Sequence, residues 1–356
     1  MTKPKKPIKM LLRERFYFLF EVLIIFLGLF LLMLIPVYVV PLLIPQSSVI
    51  FGSFYFAIKA IIALFSIYIL LYVSNFIMDS QKRKLILDKD ESPAKNFLNL
   101  FAISKKNYKF QVLYGILLLF IVFIPLDFFT YLLLPDMLAY SANALNPGSE
   151  FSLNSYLLQD YSIFLISAII IQLFVSIYEE TLTRGFLTNR GSDYMNKMSA
   201  VIISSFFFGL GHYRYIFTSS TLGFPPIYPF IWFLQTFLVG IILSMLVLRK
   251  HWIFPVIFAH AINNIISAHS IWNYLQGNDF LLMTLFVYIP LLVVSIILVI
   301  WQFSRIKESV AIGFKEFKSY FKNDLSIGES TSNKIMRILI DFLFGFIIFL
   351  IGVIII

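Results

Sequence analysis

Residues 161–190 read YSIFLISAIIIQLFVSIYEETLTRGFLTNR, and this stretch decides the fold. From Tyr161 to Tyr178 it carries no charge. A bilayer core of about 30 Å needs roughly 20 apolar residues per helical span. Glu179, Glu180, Arg184 and Arg190 then follow with no proline to stop the helix. Ionisable groups inside a span are expensive and mark a site by default. The stretch therefore predicts a transmembrane helix that carries its own chemistry.

Working outward, eight more apolar stretches reach spanning length. The predicted spans are 16–44, 50–78, 112–134, 161–178 (running on to about 190), 198–217, 227–248, 252–271, 280–303 and 338–356. Pro36 and Pro41 kink or shorten the first. A basic stretch precedes it, as in a signal peptide, but the apolar run is too long for one and no small-residue cleavage site follows, so it is expected to be retained. The composition agrees: 60% of the 356 residues are apolar, 13% are charged and the mean hydropathy is +0.87. Soluble domains sit near half apolar and a quarter charged. That excludes a soluble enzyme, a disordered chain and a fibre. The predicted fold class is all-α, a polytopic transmembrane helical bundle of about eight or nine spans. Cysteine is absent, which excludes disulfides, thiolate metal sites and a cysteine nucleophile.

The net charge of +9 reads as loop charge of a membrane protein, not as a nucleic-acid surface. All but three of the 28 Lys and Arg fall in residues 1–15, 79–110, 185–197, 249–250 and 304–337. Loops 135–160, 218–226 and 272–279 have none, but hold Asp136, Glu150, Asp160 and Asp279. The positive-inside rule then gives a cytoplasmic N-terminus, nine crossings and an outer C-terminus. Three regions are expected: 1–110, two spans and a basic cytoplasmic loop; 111–303, an intramembrane core; and 304–356, a basic segment and a last span. Ser92-Pro93 predicts the start of an interfacial helix reaching about Phe110. Val310, Phe314, Phe317 and Phe321 share one face of a second, with Lys315, Lys318 and Lys322 off that face, as suits an anionic leaflet.

The three exceptions are Lys59, Arg184 and Arg214. Glu180 and Arg184 stand four apart in the favourable ion-pair order, while Glu179 projects about 100° away. One carboxylate is thus neutralised and the other left free for chemistry. The span 198–217 carries Phe208-Gly-Leu-Gly-His212, and 252–271 carries His260-Ala-Ile-Asn-Asn264. His260 and Asn264 stack on one helix face. Gly209 and Gly211 are expected to admit a neighbouring helix closely. Counted at 1.5 Å per residue from the basic ends, Glu179, His212, His260 and Asn264 fall at about 12–18 Å. This predicts a shared, water-filled cavity facing the cytoplasm, with Arg184 near its mouth, able to meet a substrate carboxylate. His269 and Asn273 repeat the spacing about 14 Å further out and are read as a decoy. Glu21, Lys59, Asp127 and Asp341 are read as structural, and His251 as a boundary residue.

Glu-Glu-x-x-x-Arg, Phe-x-x-x-His and His-x-x-x-Asn, in order on separate apolar helices, resemble the CAAX protease and bacteriocin-processing (CPBP, or Abi) family of intramembrane endopeptidases. The resemblance covers about 161–273 with no departure at a motif position. It implies Glu179, His212, His260 and Asn264 as the catalytic set, with Glu180, Arg184 and Phe208 in support. It also implies proteolysis of a membrane-bound peptide or protein substrate within the lipid bilayer, as in peptide or bacteriocin maturation, self-immunity or CAAX processing.

The residues read the same way chemically. A Glu179/His212 pair can activate water, and His260 and Asn264 can donate to an oxyanion. Two histidines and a glutamate, His212, His260 and Glu179, are also a credible zinc shell, and the sequence leaves the metal-free and metal-bound forms open. A catalytically silent scaffold of the same fold stays an alternative. A transporter is a weaker one, since neither repeated halves nor matched helix breaks occur. Heavy use of Phe, Ile, Lys, Tyr and Asn points to an AT-rich genome and a bacterial plasma membrane.

Overall fold

A computed structural model describes residues 8–82, 92–145, 148, 152–221, 223–323 and 329–355. The basic residues within 1–7 and 83–91, together with Glu150, lie outside them. The described residues form helices and no strand. The helices are α1 (Ile8–Tyr38), α2 (Phe51–Lys82), α3 (Pro93–Asn99), α4 (Tyr108–Leu133), α5 (Asp136–Ala144), α6 (Tyr161–Tyr194) and α7 (Lys197–Tyr213). They continue as α8 (Ile227–Lys250), α9 (Phe254–Leu275), α10 (Phe280–Trp301), α11 (Phe303–Tyr320) and α12 (Thr331–Ile355). Short helical turns at Val40–Leu43, Ser155–Leu158 and Ile216–Thr221 fill the connections.

Seven of these, α1, α2, α4, α6, α8, α10 and α12, are long and apolar enough to cross a membrane. The chain is thus a multi-pass membrane helical bundle. The two predicted spans outside that set are α7 and α9, which carry His212 and His260. Alpha7 has only 17 residues, and α9 spends several positions on His, Asn and Ser. These helices gave up apolar character to hold polar groups, and they sit inside the bundle, where neighbours satisfy those groups.

Helix ends follow local chemistry. Ser92 caps α3, its side chain accepting from the Lys95 N–H at 3.3 Å, with Pro93 in the first turn. That helix stops at Asn99, short of the expected Phe110, and the chain restarts as α4 at Tyr108. Alpha8 ends on Arg249 and Lys250, cations suited to a helix C-terminus. His251 then turns left-handed at φ 53°, its N–H donating to Val247 O at 2.8 Å. The second expected helix forms as α11, with Phe303, Val310 and Phe314 exposed and Phe317 packed against the bundle.

Alpha7 is the central post. It packs on α8, α12 and the second half of α6. On the other side, α9 packs against α6, α4 and α5. A buried cluster joins α4, α6, α8 and α9, and another joins α1, α2, α6, α7 and α12. The first and last spans therefore brace α7 against the half of the bundle that holds its partners.

Candidate active site

Alpha6 places the two acids. After Glu180 its backbone passes into a π-helical stretch, Thr181–Thr188, whose wider turn unsettles the regular ladder. Such segments recur at functional sites. The disturbed carbonyls find side-chain donors: the Thr183 hydroxyl donates to Glu179 O at 2.5 Å and the Ser204 hydroxyl to Thr183 O at 2.8 Å. Arg184 is fully buried. It donates to Glu180 Oε1 at 3.1 Å and to the Thr183 hydroxyl at 2.7 Å, and lies 4.3 Å over the Phe208 ring. The Glu180–Arg184 pair thus forms as the spacing predicts, and Phe208 supports it. Arg184 does not stand at a cavity mouth; closure of the pair by Phe208 shuts it into the helix packing.

Alpha9 brings His260 to the same carboxylates. Its Nδ1 is 2.7 Å from Glu180 Oε1, and its Nε2 is 3.7 Å from Glu179 Oε2. Its ring stacks on Phe123 and meets Phe208 edge-on. A hydrogen bond at one imidazole nitrogen fixes the orientation of the other. Glu180 thus holds His260 as well as Arg184, a link that spacing on one helix cannot reveal. The two acids differ sharply: the Glu180 side chain is 0% exposed and that of Glu179 28%. His212, in the last turn of α7, donates from Nδ1 to Phe208 O at 3.1 Å, which leaves Nε2 as an acceptor. Gly209 admits Phe233 and Phe237 of α8, whose atoms come within 3.1 Å of where a Cβ would stand. Gly211 has no such neighbour, contrary to expectation.

Glu179, His212, His260 and Asn264 line one cavity of about 460 Å³. Its walls also include Tyr55, Lys59, Asp127, Tyr178, Arg214 and Trp232. Residues of the 135–160 segment close one end, among them Ser141, Asn154 and Tyr156. Burial pushes the Tyr156 phenol up to about 12, so this wall is uncharged. Arg214 is exposed and marks the surface end. The cavity therefore occupies the half of the bundle beside the Lys- and Arg-free loops, not the half beside the basic ones. The depth count failed for α6 and α7 because their basic ends lie further from the site than expected. Alpha6 continues to Tyr194, about 22 Å beyond Glu179, and His212 lies about 22 Å from the start of α7. Arg190, taken for a loop residue, is instead buried and donates to Glu21 at 2.8 Å.

Two residues read as structural face the cavity. Asp127 accepts from the Ser267 hydroxyl and Asn263, and Lys59 lies 4.2 Å over the Tyr178 ring. Glu21 and Asp341 are ion-paired elsewhere. The decoy behaves as one: His269 stacks among Phe164, Tyr161 and Trp272, and Asn273 donates to Asp279 O. Among the described residues, no three His, Asp or Glu side chains converge as a metal-binding group. Glu179, His212 and His260 line the same cavity but do not converge on one point, so the donors as placed do not fit a zinc shell.

Comparison with curated proteins and with solved structures gave no match. A family model described as Rce1-like, type II CAAX prenyl endopeptidase Rce1-like, matches residues 161–266. That span is under a third of the chain. It opens with α6 and closes just past Asn264, so it contains all three motifs and the site residues carried by α6, α7 and α9, and this segment is similar to that family.

Proposed function

We propose that the chain is a glutamate-dependent intramembrane endopeptidase that cuts a membrane-bound peptide or protein. The family match supports a CAAX-type membrane protease. The observation that carries the finer reading is the contrast between the acids: one sealed by Arg184 and His260, the other left in a cavity with His212 and Asn264. Glu179 and the free Nε2 of His212 take the proton of a cavity water, which attacks the peptide carbonyl. The same proton then passes to the leaving nitrogen. His260, its Nδ1–H held by Glu180, carries a second proton on Nε2. Its Nε2–H and the Asn264 amide donate to the oxyanion, each worth about 3 kcal/mol in such sites. The arrangement of donors favours this metal-free form. Peptide or bacteriocin maturation and self-immunity are the roles proposed for a bacterial plasma membrane.

With the N-terminus cytoplasmic, the cavity would face outward. The test is cleavage of internally quenched, lipidated CAAX-type peptides by the purified protein in nanodiscs. Glu179→Gln and His212→Ala should abolish turnover in folded protein. Wild-type turnover that survives Glu179→Gln would sink the mechanism. Single cysteines placed in this cysteine-free chain at Asn143 and Gln302 report orientation: the first should react with an impermeant reagent in whole cells and the second should not.

A further inference from the structure

Two cations of the cavity take no part in the chemistry above. Lys59 stands inside the apolar α2, its ammonium 4.2 Å from the centre of the Tyr178 ring. Arg214 follows His212 by two residues, its guanidinium 5.5 Å from the centre of the Tyr215 ring. Both line the cavity. Lys59 is within electrostatic range of Arg214 and Glu179, and Arg214 is within range of Tyr178 and His212. Neither forms an ion pair with a described residue.

The buried cations elsewhere behave otherwise. Arg15, Arg184, Arg190 and Arg337 each meet a carboxylate within 3.1 Å. A lysine within a span is costly without an opposite charge, and a second cation nearby adds to the cost. The aromatic faces of Tyr178 and Tyr215 hold the two groups in place by cation–π contact while leaving N–H donors free. A substrate carboxylate arriving near Glu179 would otherwise be repelled by it. Lysine offers a point charge and arginine a planar fork, a combination suited to a carboxylate.

We propose that Lys59 and Arg214 form a carboxylate subsite beside Glu179 that receives the C-terminal carboxylate of the peptide substrate and so directs cleavage near the chain end. This rests on the endopeptidase reading above. An internal acidic side chain is the other source of a carboxylate, and a phospholipid phosphate is the rival anion.

The test is direct binding to the wild-type protein in phosphatidylcholine nanodiscs. The probes are the apolar tripeptide Val-Ile-Ala as free acid, the same tripeptide as amide, and Val-Asp-Ala as amide. The free acid should bind about tenfold or more tighter than its amide, a difference of about 1.4 kcal/mol. Lys59→Gln and Arg214→Gln should each bring that ratio below about threefold, and Lys59→Arg should keep most of it. Thermal unfolding in the same nanodiscs checks the fold; if Lys59→Gln fails it, Arg214→Gln and Lys59→Arg carry the test. Equal binding of acid and amide, or a ratio kept in both glutamine variants, overturns the proposal. So does preference for the Asp-containing amide, which would assign an internal acid, or loss of the ratio on adding phosphatidylglycerol, which would assign a lipid. Acid preference without cleavage of any peptide would sink the endopeptidase reading alone. Cleavage indifferent to amidation would sink the subsite alone.

Discussion

The two halves of the bundle treat charge in opposite ways. Beside the basic loops, the buried charges of the described residues are paired. Arg15 donates to Asp341 at 2.9 Å and to Ser199 at 3.0 Å, and Tyr320 donates to Asp341 at 3.0 Å. Arg190 bridges Glu21 and Asp193, both at 2.8 Å, and Arg337 meets Glu329 at 2.9 Å. The Arg15 and Arg190 pairs tie α1 and α12 to the ends of α6 and α7 beside the basic loops. In the cavity half, Glu179 stands 3.7 Å from the His260 imidazole, and Lys59 has no carboxylate of a described residue in ion-pair reach. Closed networks fix a geometry; open charges are left to meet water or substrate. The same residue types serve both ends, so pairing, not residue type, separates scaffold from chemistry.

The largest expected break in this contrast is Glu179→Gln. Losing a general base costs about 10²–10⁴ in rate, and the melting temperature should stay near wild type because no closed network is touched. A stability loss as large as the activity loss would put Glu179 among the structural acids.

Asp341→Asn should do the reverse. It takes from buried Arg15 one of its two carboxylates, leaving Glu14 at 3.1 Å, a change expected to cost about 1–3 kcal/mol. Turnover per folded molecule, measured by active-site titration, should be unaltered. Glu180→Gln belongs to both classes, since it leaves Arg184 without a counter-charge and loosens His260. It should lower both the melting temperature and turnover, and a change in only one would assign it to that class.

Asn264→Ala removes one oxyanion donor and should cost about tenfold or more in turnover, with little change in stability. The smallest effect is expected from His269→Ala, which trims ring stacking at the decoy pair. Turnover within about threefold of wild type is the expected result, on the scale of the 0.5–1.5 kcal/mol such contacts carry. A loss as large as that of Asn264→Ala would move the site toward the decoy.

The candidate site residues stood out in the chain because polar and charged groups are rare in lipid-facing helices. Glu179, His212, His260 and Asn264 announced themselves by being out of place. The Glu180–Arg184 pair followed from helix geometry alone. Lys59 and Asp127 were read as structural because each lies near a span end, where snorkelling to water is an adequate explanation, and their place in the cavity wall was not legible. Only the packing of α2 and α4 against α6 and α9 turns them inward.

Composition and periodicity determined that this is a membrane helical bundle, since a chain so apolar and so poor in charge has no other solvent. Motif spacing determined which helices carry the acids, imidazoles and amide. The tertiary structure decided what spacing cannot carry: that Glu180 also holds His260 from 80 positions away in the chain, that Arg184 is sealed, and that the cavity lies beside the loops without Lys or Arg. The physical reason is that helix ends and crossings depend on caps, π-turns and distant ion pairs. A shift of one or two turns there moves a polar group by half a membrane leaflet.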